Sequence, residues 1–513
     1  MGDTEEIKIG VYTLDSLTRS MYSDARCIIR EYLQNAADAT DKAKAEGLSP
    51  QDDWKIYVNI DTKKRRLEIE DNGTGIQKEN ISKYLRNIGM SVKQQGIDKG
   101  FRGIGRLAGL QYCKKLIFET SAQGETEKSY VIWNAAELMK IIANKTDEEA
   151  AAVINRVTEI KQDKELLDKH YFKVILEDVT SDVLLNIRDI RKYLSMVAPV
   201  PFKKSIFSPK IYEELKKENL QIDEYDIFVN QDQIYKGYNW YVYDGDEDNK
   251  RQVDEVKSIE FFKETYNDQI LYWGWYAITG KNQTLQPVNF SRGFRLRSKN
   301  IQIGDETTLR ELFIRDKRFQ NYMFGEIYAF SSELIRNSQG DNFVKETEEY
   351  KAFKSSLETF FVNTIHTLCY ASSTANSAIS KAIAFNETVE KFAEKEKIGW
   401  TDKEERESWL QKIEDKKKKA DEATQKVEKL KLKTEETSPI SKILERVTDE
   451  PTKIIVPSKD IGNSGKSNFR TDKLSKLDKK ERKFLGDIFS IINTVLTSDL
   501  AENLIRKIEE KYK

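Results

Sequence analysis

The chain has 513 residues, enough for several domains with ordinary cores, and 33% of them are charged with a formal net charge of −1. That balance argues against wholesale coating of nucleic acid, and no apolar run is long enough to span a bilayer. The polar start Met1-Gly2-Asp3-Thr4-Glu5-Glu6 lacks the apolar stretch of a signal peptide, so a cytoplasmic location is expected, while the isolated Cys27, Cys113 and Cys369 indicate neither a disulfide framework nor a zinc site.

The first chemically distinctive element is Arg30-Glu31-Tyr32-Leu33-Gln34-Asn35-Ala36-Ala37-Asp38-Ala39. A helix here stacks Glu31, Asn35 and Asp38 at i, i+4 and i+7 on one face, with Ile28, Ile29, Tyr32, Leu33 and Ala36 as apolar flanks. An acid beside an amide at an apolar margin suits a water-activating base and a magnesium ligand. Next, Arg66 to Ile76 reads as a short alternating strand that ends in Asp71 and then a turn containing Gly73 and Gly75, where backbone can approach a flat ligand. Lys99 to Gly109 follows, with Gly100, Gly103 and Gly105 preceding an apolar helical stretch, which is the chemistry of a phosphate cradle at a helix N-terminus.

In that order, an acid-amide-acid helix, a DxGxG turn and a GxxGxG loop resemble the GHKL ATPases, the superfamily that includes Hsp90 chaperones, MutL, type II topoisomerase ATPase subunits, MORC proteins and histidine kinases. The match is to the Bergerat nucleotide fold; no GxxxxGK[ST] is present. The resemblance implies ATP and Mg²⁺ as ligands, with Glu31 as the base that activates water, Asn35 as the Mg²⁺ ligand and Asp71 as acceptor for the adenine amino group. Asp38 shares the face of Glu31 and Asn35. Gly73 and Gly75 would shape the adenine pocket, and Gly100, Gly103 and Gly105 would hold phosphates. Glu31 argues against a histidine kinase, and the chain has only His170 and His366.

Asn87-Ile88-Gly89 looks like the Asn-Leu-Gly stretch that leads into a mobile lid in Hsp90-like members. Lys93 is then either a phosphate-reaching lysine or a solvated loop residue. Where the superfamily carries a Gly-Thr pair at the start of a later strand, this chain has Tyr171 to Asp178, which departs from the pattern; Thr120 is then either the substitute or a plain strand threonine.

The expected fold class is α/β: a Bergerat-fold α/β sandwich ATPase module over 1–205, with helices on one side of a mixed sheet, an α+β transducer domain over 206–350, and a helical C-terminal region. Lys145 to Lys169 reads as a solvated helix pair inserted in the first domain. The second domain carries the strands Ile227-Phe228-Val229 and Ile270 to Ile278, then Ser291 to Asp305, where alternating basic and apolar residues predict a half-buried strand with one strongly basic face. This domain is similar to the Hsp90 middle domain, which presents a catalytic side chain to the γ-phosphate. Gly340 takes the place of the arginine that Hsp90 carries in that loop, so the implied candidates are Arg336 and Gln339.

Residues 351–447 read as a helical or coiled-coil region, 448–475 as a Pro/Gly/Ser linker, and 476–513 as an apolar helical pair that either dimerises or folds back on its own chain. The resemblance thus implies an Hsp90-like, ATP-driven homodimeric clamp acting on a protein client. Its alternatives are a MORC- or MutL-like clamp on DNA that uses the basic strand, or a nucleotide-sensing regulatory subunit of a bacterial defence system.

Overall fold

Strands Lys55–Asp61 (β1) and Arg66–Asp71 (β2) alternate buried and half-buried side chains, the period-2 pattern of a sheet covered on one face. In the computed structural model the described residues are 9–18, 24–50, 52–88, 105–144, 148–204, 207–337, 340–400, 402–435, 438–449, 471, 474 and 476–512. The chain divides into two units, Met1–Gly280 with Thr284–Val362, and Lys281–Gln283 with Asn363–Lys513.

The first unit opens with helices Tyr12–Thr18 (α1) and Cys27–Ala45 (α2), then β1, β2 and Ile81–Leu85 (α3). Lys115–Ser121 (β3), Glu127–Asn134 (β4), Ala135–Ala143 (α4), Ala150–Val157 (α5), Thr158–Lys164 (β5), Tyr171–Glu177 (β6), Ile187–Val197 (α6) and Phe207–Lys217 (α7) follow. With Asp226–Val229 (β7) and Asp232–Gln233 (β8) the strands form an eight-stranded mixed sheet in the order β5-β4-β3-β6-β2-β1-β7-β8. Only the β1–β7 pairing in it is parallel. Val58, Ile69, Phe118, Val131 and Leu176 from the strands and Ile28, Ile29, Leu33 and Ala36 from α2 share one core. Each such buried Val, Leu, Ile or Phe side chain stabilises by about 1.5–3 kcal/mol relative to exposure. This is the expected α/β sandwich.

Two expectations fail locally. Among the described residues 148–169 there is no helix pair: α5 gives way to β5, an edge strand whose side chains are almost all exposed. Charge on both faces hides a strand from periodicity, and it also blunts the open edge against further pairing. Ile227-Phe228-Val229, read with the second domain, is hydrogen-bonded to β1 of the first sheet.

Tyr241–Asp244 (β9), Arg251–Tyr266 (β10), Gln269–Thr279 (β11), Gly293–Ser298 (β12), Ile301–Ile303 (β13) and Phe324–Ala329 (β14) build a second, six-stranded sheet in the order β13-β12-β14-β11-β10-β9. Helix Glu348–Phe360 (α8) lies on one face, where Tyr272 meets Phe353 edge-on at 5.6 Å. On the other face Trp273 and Trp275 share a cluster with Ile211 and Leu215 of α7. Because both faces are covered, β11 is buried along almost its whole length, which explains its unbroken apolar run.

The basic strand also needs correction. Arg295 and Arg297 on β12 are buried, not solvent-facing. Arg295 pairs with Glu306 (3.2 Å) and Arg297 with Glu326, so this strand offers no basic face to DNA phosphates. Burial of a guanidinium requires such counter-ions, and these lie far along the sequence from the strand itself.

In the second unit His366–Ile398 (α9) and Lys403–Lys431 (α10) form a helical hairpin. Ile413, Ala420 and Val427 recur at seven-residue spacing on the buried side of α10. Phe392, Trp400 and Phe385 fill the end near the turn, where Gly399 adopts a positive φ of 99°. Pro439–Asp449 (α11), Lys479–Val495 (α12) and Ser498–Tyr512 (α13) complete the unit. Residues 450–470, most of the expected linker, lie outside the described residues. Among the described residues no helix is long and apolar enough to cross a membrane.

Candidate functional site

From Cys27 to Thr40 every residue of α2 is buried except Cys27, Glu31, Asn35 and Ala39, which are half-buried. The four open positions are spaced by four residues, so one narrow stripe of an otherwise enclosed helix faces outward. Asp38 flanks that stripe from the buried side. A polar stripe bordered by core is what the sequence implied, and the structure shows what stands at its two ends.

At one end is the turn after β2. Asp71 is buried, and the Gly73 N–H donates to its Oδ1 at 3.0 Å. Gly73 lies against α2 so closely that a β-carbon there would sit 2.8 Å from the Ala39 β-carbon. Gly75 has φ 64° and backs onto β3, where an added β-carbon would lie 1.8 Å from Ser121 O. Only glycine tolerates both that conformation and that contact. Thr120 ties the same turn to the sheet: the Ile76 N–H donates to Thr120 Oγ1 (2.9 Å), which itself donates to Tyr171 O (2.8 Å).

His170 completes this end. Its Nδ1 lies 2.7 Å from Gly73 O, and since a carbonyl only accepts, Nδ1 carries the proton there. A histidine placed just before a strand carries no local signal of a bond to a turn 97 positions away.

At the other end is the segment Gly105–Tyr112, a 3₁₀ stretch. A β-carbon on Gly105 would lie 2.7 Å from Glu31 Oε2. Tyr32 fixes this approach by donating to Arg106 O (3.0 Å) and accepting from the Gly109 N–H (3.0 Å). Arg106 Nη2 donates to the carbonyl of the exposed Asn87, and burial pulls the Arg106 guanidinium down to about 10. Lys93, Gly100 and Gly103 lie outside the described residues.

Arg30, one residue before Glu31, is buried with its Nη2 3.6 Å from Glu31 Oε1. The segment that follows β14 reaches the same place. Arg336 and Phe343 form a bridge that closes a turn, and an added β-carbon on Gly340 would lie 3.1 Å from Arg30 Nη2. Gly340 is thus the residue of this turn set beside the Arg30 side chain; Arg336 is half-buried at the base of the turn, and Gln339 lies outside the described residues.

Glu31 and Ala39 are eight residues apart, so the stripe runs ~12 Å along the helix from Gly105 to Gly73. One end carries a buried acid and close-set glycines. The other pairs a carboxylate with glycine backbone.

Part of the chain is similar to known proteins. Residues 22–165 match the family model described as histidine kinase-, DNA gyrase B- and HSP90-like ATPase. The chain is 30% identical over 133 residues to Chaperone protein HtpG of Ehrlichia canis (strain Jake), covering 22% of this chain and 21% of that protein. It is 29% identical over 141 residues to Chaperone protein HtpG of Escherichia coli (strain K12), covering 24% of this chain and 23% of that protein. The aligned part therefore spans less than a quarter of the length of these relatives. The matched segment carries α2, the Asp71 turn, Gly105 and Thr120, and residues 22–165 form a domain of the histidine kinase-, DNA gyrase B- and HSP90-like ATPase family.

Proposed function

We propose that this protein is a Mg²⁺-dependent ATPase that works as an Hsp90-like homodimeric clamp on a protein client. The observation that carries the reading is the open stripe of α2, with a buried acid and glycine turn at one end and a glycine set against Glu31 at the other. ATP lies along it with adenine at Asp71 and phosphates at Glu31. Asp71 accepts from the adenine amino group, Gly73 and Gly75 let the ring approach, and Thr120 holds the turn.

Asn35 offers its amide oxygen to Mg²⁺ one helical turn from Glu31, the hard-oxygen chemistry that ion favours. Mg²⁺ supplies neutralisation of phosphate charge when bound. Glu31 takes a proton from the attacking water as general base, and Arg30 orients the Glu31 carboxylate from 3.6 Å. Arg336 stabilises phosphate charge from the transducer-like part, as a placed cation does in phosphoryl transfer.

Support for the dimer comes from the C-terminal helices. Phe484, Ile491 and Val495 recur on one face of α12 and are 68%, 62% and 75% exposed, and Leu500 and Leu504 on α13 are exposed too. Apolar side chains in such number on one helical pair suit a self-complementary contact between two copies. Light scattering on the full chain with ATP and Mg²⁺ tests the clamp: Glu31→Ala should accumulate an ATP-bound dimer, and a monomer at every nucleotide state and concentration would refute it.

A further inference from the structure

A fully buried charge cluster ties the second sheet of the first unit to α6 and to the segment that follows β8. Lys236 Nζ lies 3.2 Å from Glu326 Oε1 and donates to Asn300 Oδ1 at 2.8 Å, while Arg297 Nε donates to the same Glu326 oxygen. Arg297 also donates to Asn300 O (2.9 Å) and to Met196 O at the end of α6, and Tyr328 donates to the second Glu326 oxygen. Side chains of Lys236, Arg297 and Glu326 are 0% exposed. Two cations and one anion removed from water need every partner they have, so this junction tolerates little displacement.

Asn300 sits at its centre. Lys299 and Asn300 have φ 50° and 59° and form the two-residue turn between β12 and β13, the left-handed pair that tight hairpins require. Beyond its bond with Lys236, the Asn300 side chain donates to Asp223 O at 2.6 Å. The hairpin tip is therefore fastened to segments that surround the ATPase sheet.

The other end of β13 is fastened elsewhere. Gly304, at φ 60°, donates its N–H to Gly340 O (3.1 Å), and a β-carbon there would lie 2.8 Å from Asp341 O. Asn337 closes the same turn, donating to Asp341 Oδ1 (2.5 Å) and accepting from the Asp341 N–H (3.2 Å). Gly340 in turn abuts Arg30, and Arg30 the Glu31 carboxylate. Three residues of strand separate the locked tip from Gly304, a span of about 10 Å that a paired strand holds stiffly.

We infer that the β12–β13 hairpin is a strut whose tip, locked by Asn300, Lys236 and Glu326, holds Gly340 beside Arg30, which makes Asn300 a positioning residue for hydrolysis at Glu31. The link to hydrolysis rests on the role proposed above for Glu31. The test is Asn300→Gly, which keeps the left-handed turn and removes both side-chain links. ATP affinity should stay within about twofold while turnover falls roughly tenfold, the split of a misplaced group rather than a lost binding contact.

Hydrogen exchange at the Gly340 and Asp341 amides should quicken without change in β1–β4. Asn300→Asp, which retains the acceptor for Lys236 and tolerates positive φ but loses the bond to Asp223 O, should recover part of the turnover. Unchanged exchange at Gly340 overturns the strut, as does faster exchange throughout the first sheet with affinity and turnover lost together. Wild type and Glu31→Ala run beside these variants separate the two claims. Absence of turnover in wild type, or normal turnover in Glu31→Ala, refutes the hydrolytic reading, and exchange at Gly340 still decides the strut.

Discussion

Gly105 and Glu31 stand so close that a β-carbon on the glycine would sit 2.7 Å from the carboxylate oxygen Oε2. The carboxylate is thereby held against backbone on one side and against Arg30 on the other. Gly105→Ala pushes Glu31 aside without altering the adenine end. Turnover should fall by about tenfold or more, a larger factor than any loss of ATP affinity. Isothermal titration beside a phosphate-release assay checks this, and wild-type turnover in the variant would show that Glu31 does not act from this position.

The adenine end separates two kinds of loss. Asp71→Asn exchanges an acceptor oxygen for a donor and should weaken ATP binding by about tenfold or more, since an unmet buried hydrogen bond costs roughly 1–3 kcal/mol. Thr120→Val leaves the Ile76 N–H and Tyr171 carbonyl without their shared hydroxyl and should cost about 1–3 kcal/mol of stability, whereas Thr120→Ser keeps it. Titration with ATP and urea unfolding read the two effects separately. Equal stability of the valine and serine variants would remove the hydroxyl from the account.

What could be read in advance was local. Glu31, Asn35 and the apolar residues around them lie within one helix, so spacing alone gives their common face, and Asp71, Gly73 and Gly75 are consecutive enough to read as one turn. Arg295 and Arg297 misled because their partners Glu306 and Glu326 are 11 and 29 positions away and on other segments. Strand β5 was hidden by its charged edge position. Nothing near Lys236 announces that its ammonium ends up buried beside Glu326, 90 residues on. The Gly340–Arg30 approach depends on the second sheet being placed first.

The buried cluster predicts a pH effect. Burial and the neighbouring Arg297 guanidinium pull the Lys236 ammonium down to about 7, whereas the unfolded chain keeps that proton to roughly 10.4. Between those values the unfolded state binds more protons, so the Lys236 contribution makes stability rise with pH from about 7 upward. Glu326, despite its burial, is held down at about 2 by Arg297 and Lys236, so its contribution is present above the ordinary carboxylate range and lost only in acid. Urea midpoints should increase from about pH 7 to 9 in wild type, and Lys236→Met should lack this increase. The same rise in both proteins would place its source elsewhere.

The exposed face of α12 gives an independent test of assembly. Phe484→Glu with Ile491→Glu places charges on two of its exposed apolar positions. Like charges meeting across a self-complementary contact should shift the monomer–dimer midpoint by at least about tenfold, the equivalent of roughly 1.4 kcal/mol. Sedimentation across a concentration series reads the shift, and an unaltered midpoint would exclude this face from the contact.

The central claim is that Glu31 hydrolyses ATP lying along the open stripe of α2. Its most direct test measures ATP binding and ATP turnover in the same preparations of wild type and Glu31→Ala, with Mg²⁺ present. The account predicts similar affinities and a loss of turnover of about a hundredfold or more in the variant, in keeping with removal of a general base. Equal turnover in the two proteins, or loss of binding in step with turnover, would contradict it.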